Sequence, residues 1–226
     1  MATSTSTALT TLIRRRNKPT RAQKVERTRA ALLDAAAQVV GDVGYVEASI
    51  TAITARAGVG QGTFYNYFDS RQELFDQLLP AISQQMLDFI KQRGDAAGEE
   101  QQREELSFRA FFDFLSEHPE FFRVMYEAEI FAPQAYEQHT EMVLNGFVRI
   151  LTKARSKGEI KGYDAAQIEA LGLILMGARH YLCQRYGRQT GWKERLPEKV
   201  VSAYMRLLRH GLYGAAPEPA RKRNAG

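Results

Sequence analysis

The chain has 226 residues, 44% hydrophobic and 25% charged, ordinary values for a globular protein long enough to bury a sizeable core. A single cysteine, Cys183, excludes an internal disulfide framework and a cysteine metal cluster, and the longest apolar run, Ala170 to Ala178, is too short to cross a bilayer. The net charge of +5 is uneven: residues 1–29 hold eight bases and one acid (+7), residues 214–226 carry +2, and residues 30–213 carry −4. A mildly acidic body behind a basic leading segment suits an anionic polymer as partner, with a merely solubilising tail as the alternative. The Ala/Ser/Thr-rich start has no basic stretch followed by an apolar one, so no secretory signal is expected and a cytoplasmic location is.

In chain order nearly every segment reads as helix. Thr28 to Val43 places Leu32, Ala35, Ala36 and Val39 at helical spacing, and Gly44 stops it. Ser49 N-caps Ile50 to Ala57, which ends at Gly58; a third short helix runs from Gln61 to Tyr67. Ser70-Arg71-Gln72-Glu73 has the form of a capping box opening a helix to about Lys91, with a kink or break expected near Gln77 because Pro80 lies inside it. Gly94 to Gln102 reads as a loop. Helices follow over Glu104–His118, from Pro119, over Pro133–Lys157, from Ala165 to about Tyr186 behind the box Asp164-Ala165-Ala166-Gln167, and from Pro197 to about Tyr213. No run alternates long enough to predict a strand, so the class is all-α: an N-terminal three-helix unit joined to a larger C-terminal helical bundle.

The stretch Ser49 to Phe75 carries the chemistry. Two short helices meet at Ala57-Gly58-Val59-Gly60, where Gly58 can turn the chain sharply. Ile53, Ala57, Val59, Phe64 and Phe68 are expected inward. Gln61, Gly62, Thr63, Tyr65, Asn66 and Tyr67 are left for the outer face and leading end of the second helix, although Tyr65 and Tyr67 could also pack inward. Amide, hydroxyl and phenol groups at a helix N-terminus suit base edges and phosphates. The glycines do not form a nucleotide-binding loop: the G-x-G-x-x-G spacing and a phosphate lysine are missing, and the turn follows a helix.

Gly-Val-Gly-Gln-Gly-Thr-Phe-Tyr-Asn-Tyr-Phe, followed by Ser-Arg-Gln-Glu-Leu-Phe, resembles the DNA-binding signature of TetR/AcrR-family regulators. Leu33-Asp34-Ala35-Ala36 and Gly44-Tyr45 fit the family's first helix and its exit. The resemblance covers residues 28–75. It implies base-edge contacts from Thr51, Gln61, Gly62 and Tyr65, and phosphate contacts from Ser49, Thr63, Tyr67 and Arg71. The family often has serine where this chain has Gly60, which puts the cap of the second helix in doubt. Residues 30–75 hold two bases and five acids, so the reading head attracts a polyanion poorly by charge. Much of the non-specific affinity is therefore expected from the basic arm, with Arg14, Arg15 and Arg16 entering a minor groove.

The organisation expected is a flexible basic arm over 1–27, a helix-turn-helix domain over 28–75, a ligand-binding and dimerisation domain over 76–213, and a flexible basic tail over 214–226. The resemblance implies a C-terminal effector pocket, for which Phe111, Phe112, Leu115, Met125, Tyr126, Glu129, Met142, Met176, Arg179 and His180 are the candidates. Glu129 or Arg179 would fix a polar end. The segment HPEFFRVMYEAEIFAP resembles regulators that answer to acyl-thioesters or other hydrophobic acids. Gly172 and Gly177 suggest close helix packing, so Ala165–Tyr186 and Pro197–Tyr213 are read as a dimer interface, with core packing as the alternative. His118, His139, His180 and His210 show no metal spacing. Neither a catalytic site nor a cofactor or membrane partner is expected. The function expected is a ligand-responsive repressor that binds palindromic operator DNA as a homodimer and leaves it with a small hydrophobic effector; the alternative is an all-α small-molecule-binding or scaffold protein without DNA activity.

Overall fold

The computed structural model describes residues 20–96, 100–187 and 195–212, and all regular structure among them is helical. In order these are α1 (Arg21–Glu47), α2 (Ile50–Ala57), α3 (Gln61–Phe64), α4 (Arg71–Asp95), α5 (Glu100–Glu117), α6 (Glu120–Phe131), α7 (Pro133–Ser156), α8 (Ala165–Leu182), a π-helical turn (Cys183–Gly187) and α9 (Glu198–His210). The all-α expectation holds. Among the described residues no helix is long and apolar enough to cross a membrane.

Helix α1 starts seven residues before the expected Thr28, so residues 21–27 are helix and not a flexible arm. The cause is local: Thr20 Oγ1 accepts from the Gln23 N–H at 3.2 Å, while Gln23 Oε1 accepts from the Thr20 N–H at 2.9 Å. Arg14, Arg15 and Arg16, and the tail over 214–226, lie outside the described residues. Gly44 breaks the helix as expected, with φ 84° and ψ 167°.

The head is built on a carbon interior. Leu32, Val40, Ile53, Phe64, Phe68 and Leu74 are almost wholly buried, with the Phe64 and Phe68 rings 5.6 Å apart. Ser49 Oγ caps α2 through the Ala52 N–H at 3.2 Å, and Gly58 closes it in the left-handed conformation (φ 69°, ψ 30°). Ser70 Oγ accepts from the Glu73 N–H at 3.1 Å, but the Glu73 carboxylate reaches past Ser70 to the Asp69 N–H at 2.6 Å, so the expected box closes one residue early.

Helix α4 leaves the head and enters the body as one helix, without a break near Gln77, where Pro80 led a kink or break to be expected. Leu78, Leu79, Ile82 and Met86 are buried along it, and this packing on both sides of the proline offsets the lost backbone hydrogen bond. The expected loop over 94–102 is shorter, since α4 reaches Asp95 and α5 begins at Glu100. In the body, the Phe108 ring stacks on Tyr204 at 3.9 Å and ties α5 to α9. Gly172 faces α7: a Cβ there would lie 3.0 Å from Leu144 Cδ1. Core packing therefore explains Gly172, whereas Gly177 meets nothing within 4 Å.

Candidate nucleic-acid interface and effector region

Buried Phe64 and Phe68 leave the polar residues of α2 and α3 on the outside. Ser49, Thr51, Gln61, Gly62 and Tyr65 are exposed, Tyr65 by 57%, whereas Thr63 and Tyr67 are half-buried and Tyr67 packs against the core. Gln61 Nε2 donates to Thr51 Oγ1 at 2.6 Å, linking the start of α3 to α2. Gly60 contributes no side-chain cap. Arg71 lies at the rim, its guanidinium 5.5 Å from the centre of the Phe75 ring, with Nη1 donating to the Val46 and Ala48 carbonyls at 3.2 and 3.3 Å. Part of its donor capacity thus holds the α1–α2 connection, and a guanidinium has five N–H donors, enough to leave some for another acceptor. Arg56 is paired with Asp42 at 2.8 Å.

The head is gripped by the body at a second place that sequence reading missed. Helix α6 lies against the end of α1, where Gly41 permits close approach: a Cβ there would sit 2.5 Å from Glu120 Cβ. Arg123 Nη1 donates to the Gly41 and Asp42 carbonyls at 3.3 and 2.9 Å, while Glu127 Oε2 accepts the Tyr45 N–H at 2.8 Å. Arg123 Nε and Glu127 Oε1 are 2.6 Å apart. This pair satisfies donors and acceptors left by the helix break at Gly44. Beside it, Gln72 of α4 donates to the Phe131 carbonyl at 2.9 Å and the Tyr45 ring stacks on Phe131 at 6.0 Å. The i,i+4 spacing of Arg123 and Glu127 is visible in the sequence; their target on α1 is not.

The effector candidates divide. Phe112 and Leu115 are buried core, while Phe111, Met125, Tyr126, Met142, Met176 and His180 are partly buried. Tyr126 Oη and His180 Nε2 meet at 2.8 Å, and burial lowers the His180 pKa below the usual imidazole range. Glu129 is a correction: Phe121, Val124 and Ala128 form the inward stripe of α6, so Glu129 falls on the exposed side. Arg179 is a second correction to the role of polar anchor. It is buried, but Nη1 donates to Tyr204 Oη at 2.8 Å and Nη2 meets Glu104 Oε1 at 2.9 Å, so an internal carboxylate already holds it. The guanidinium also lies 4.7 Å from the Phe147 ring centre and 5.3 Å from that of Phe108.

Another interior polar pair joins α4 to α7. Ser83 of α4 donates its hydroxyl to the Leu79 carbonyl at 2.6 Å and lies 2.6 Å from His139 Nδ1 on α7. Because that hydroxyl has one hydrogen, His139 Nδ1–H is the donor in the second bond. Burial pushes the His139 pKa down to about 4, leaving a neutral imidazole at neutral pH. Cys183 is buried too, and the same desolvation raises its thiol pKa, so the protonated thiol dominates.

Residues 32–78 match the model of bacterial regulatory proteins of the tetR family, covering the end of α1 through the first part of α4. The HTH-type transcriptional activator FasR of Mycolicibacterium smegmatis is 31% identical over 111 residues, 49% of this chain and 51% of that protein, so the match spans about half of each. The HTH-type transcriptional regulator EthR of the same organism is 24% identical over 192 residues, 83% of this chain and 87% of its own length. Among solved structures, the transcriptional regulator FadR from Bacillus subtilis, in complex with stearoyl-CoA, shares the fold with a TM-score of 0.68 at 21% identity, over 81% of this chain and 99% of that one. These relatives bear the names of transcriptional regulators and not of enzymes. The signature seated on the buried Phe64 and Phe68 and the exposed helix-turn-helix face agree with the family match, which places the DNA-binding region of the bacterial regulatory proteins of the tetR family on residues 32–78 of this chain.

Proposed function

We propose that the protein is a ligand-responsive transcriptional repressor that binds a palindromic operator as a homodimer and leaves it when a hydrophobic acid or acyl-thioester binds the body. The observation that carries the reading is the exposed polar face of Ser49, Thr51, Gln61, Gly62 and Tyr65 over a rigid buried base. Thr63, Tyr67 and Arg71 flank it and are assigned to phosphates. The arm with Arg14, Arg15 and Arg16 supplies the cationic contacts that the head lacks, and helical Arg21, Lys24 and Arg27 extend that charge toward the head.

Dimerisation is assigned to α8 and α9, where Leu173, Ile174, Tyr181, Leu207 and Leu208, with Leu212 just beyond α9, are exposed apolar residues, more than a monomer's surface needs. A two-fold axis there matches a palindromic operator. The effector assignment is supported by the stearoyl-CoA bound to the related FadR, and by the partly buried Phe111, Met125, Tyr126, Met142, Met176 and His180 of this chain.

The experiment is fluorescence anisotropy on DNA fragments from the chain's own upstream region, with stearoyl-CoA and free stearate as separate additions, followed by transcription in vitro from the bound fragment. Specific binding, lowered transcription and release by either addition support the reading. Binding that raises transcription would overturn the repressor sign, and binding that neither addition releases would overturn the effector class. Removal of residues 1–19 should flatten the slope of log affinity against log salt. In sedimentation, Tyr181→Glu should give a monomer where the parent protein sediments as a dimer.

A further inference from the structure

Thr51 and Gln61 were both assigned to base edges, yet their side chains face each other. Helix α2 is capped by Ser49, so the Thr51 hydroxyl has no capping duty. The contrast is Thr54, three residues on, which is buried and returns its hydroxyl to the Ile50 and Thr51 carbonyls at 2.8 and 3.2 Å. The Thr51 hydroxyl instead accepts the Gln61 amide at 2.6 Å, although both residues are exposed. Gln61 is the first residue of a four-residue helix whose N-cap, Gly60, has no side chain to hold it.

We propose that Thr51 is a positioning residue that fixes the Gln61 amide for reading one base, and does not read a base of its own. The inference rests on the DNA-binding function proposed above. An untethered glutamine samples many rotamers and loses that freedom on binding; a bond formed in the free protein removes part of the loss beforehand. The bond also sets polarity. One amide hydrogen is committed to Thr51, leaving the Gln61 carbonyl oxygen and the second amide hydrogen as an adjacent acceptor and donor. In the major groove, adenine presents the complementary N6 donor and N7 acceptor, so the pair is tuned to an A·T step.

The test is selection of binding sites from a randomised duplex library by the full chain, by Thr51→Val, by Thr51→Ser, by Gln61→Ala and by the Thr51→Val, Gln61→Ala double variant. Thermal melts by circular dichroism confirm the fold of each, and Thr51 is exposed, so its variants should melt with the parent. The parent should prefer adenine at one half-site position by about fivefold or more, and Gln61→Ala should remove that preference. Thr51→Val should weaken preference at the same position, Thr51→Ser should retain it, and the double variant should match Gln61→Ala. The salt slope should not change in any of them, because no phosphate contact is removed. Altered preference at a different position in Thr51→Val would show that Thr51 reads its own base, and an unaltered profile would show that the tether is idle; either overturns the inference while DNA reading stands. A parent protein that enriches no sequence would overturn the DNA reading itself.

Discussion

The head and the body distribute polarity in opposite ways. Inside the head, the buried side chains of α1 to α3 are hydrocarbon and aromatic, and neither buried hydroxyl bonds another helix: Thr54 bonds its own helix and Tyr45 Oη meets no hydrogen-bond partner among the described residues. Its outer face is polar. Inside the body lie Ser83, His139 and Arg179, each with a hydrogen-bond partner from another helix, while α8 and α9 turn leucine, isoleucine and tyrosine outward. A carbon interior makes a rigid mount for side chains that must meet a partner's edge at fixed positions. An interior carrying polar pairs holds helices in one arrangement through directional bonds, and exchanging those bonds gives a route to a second arrangement.

The largest effect that could break this comparison lies in the head. Phe64 is fully buried, so Phe64→Ala should cost about 3–5 kcal/mol in denaturant unfolding. Tyr181→Ala, at a site 70% exposed, should change the stability of the monomer by less than about 0.5 kcal/mol. Equal costs at the two sites would contradict the assignment of one to a mount and the other to an outer face.

Next comes the buried imidazole. The unfolded histidine has its ordinary pKa of 6.5 and the folded one about 4, so the unfolded state binds more protons between these values. The contribution of the Ser83–His139 pair is therefore complete above about pH 6.5 and falls as pH drops toward 4, by about 3 kcal/mol in all. His139→Asn, whose amide can still donate to Ser83, should lack this part of the acid destabilisation. Parallel stability–pH curves for the two proteins would refute a buried neutral imidazole.

A smaller effect is expected where the regions meet. Glu127→Ala removes the acceptor of the Tyr45 N–H and should destabilise by about 1–3 kcal/mol, with Glu127→Gln recovering most of it by keeping an oxygen there. No loss in the alanine variant would mean that α6 merely rests on α1. Smallest is Gly60→Ser. A Cβ there meets nothing within 4 Å and φ is −75°, so the serine can cap α3 and should raise stability by a few tenths of a kcal/mol. A fall in melting temperature would indicate that the α2–α3 turn needs glycine.

Local chemistry made much of the head readable. The Ser49 cap, the Gly58 and Gly44 stops and inward Ile53, Phe64 and Phe68 all depend on neighbours within a few residues, and each is where the pattern puts it. Misreadings arose where distant packing intervened. Pro80 signals a break, but buried side chains on both sides keep α4 continuous. Glu129 and Arg179 looked like ligand anchors because their types suit the task; helix phase turns one outward, and a carboxylate 75 residues away already holds the other. The Thr20–Gln23 box was legible and overlooked.

By itself the sequence determined an all-α chain, its helix-turn-helix and the resemblance of that signature to the tetR family, because periodicity, caps and glycine stops act over one or two turns of chain. Tertiary structure alone decided that Arg123 and Glu127 hold the end of α1, that His139 meets Ser83, and that Thr51 holds Gln61. Those bonds join positions from 10 to 82 residues apart, and which of many such pairs forms depends on how whole helices pack, not on any local pattern.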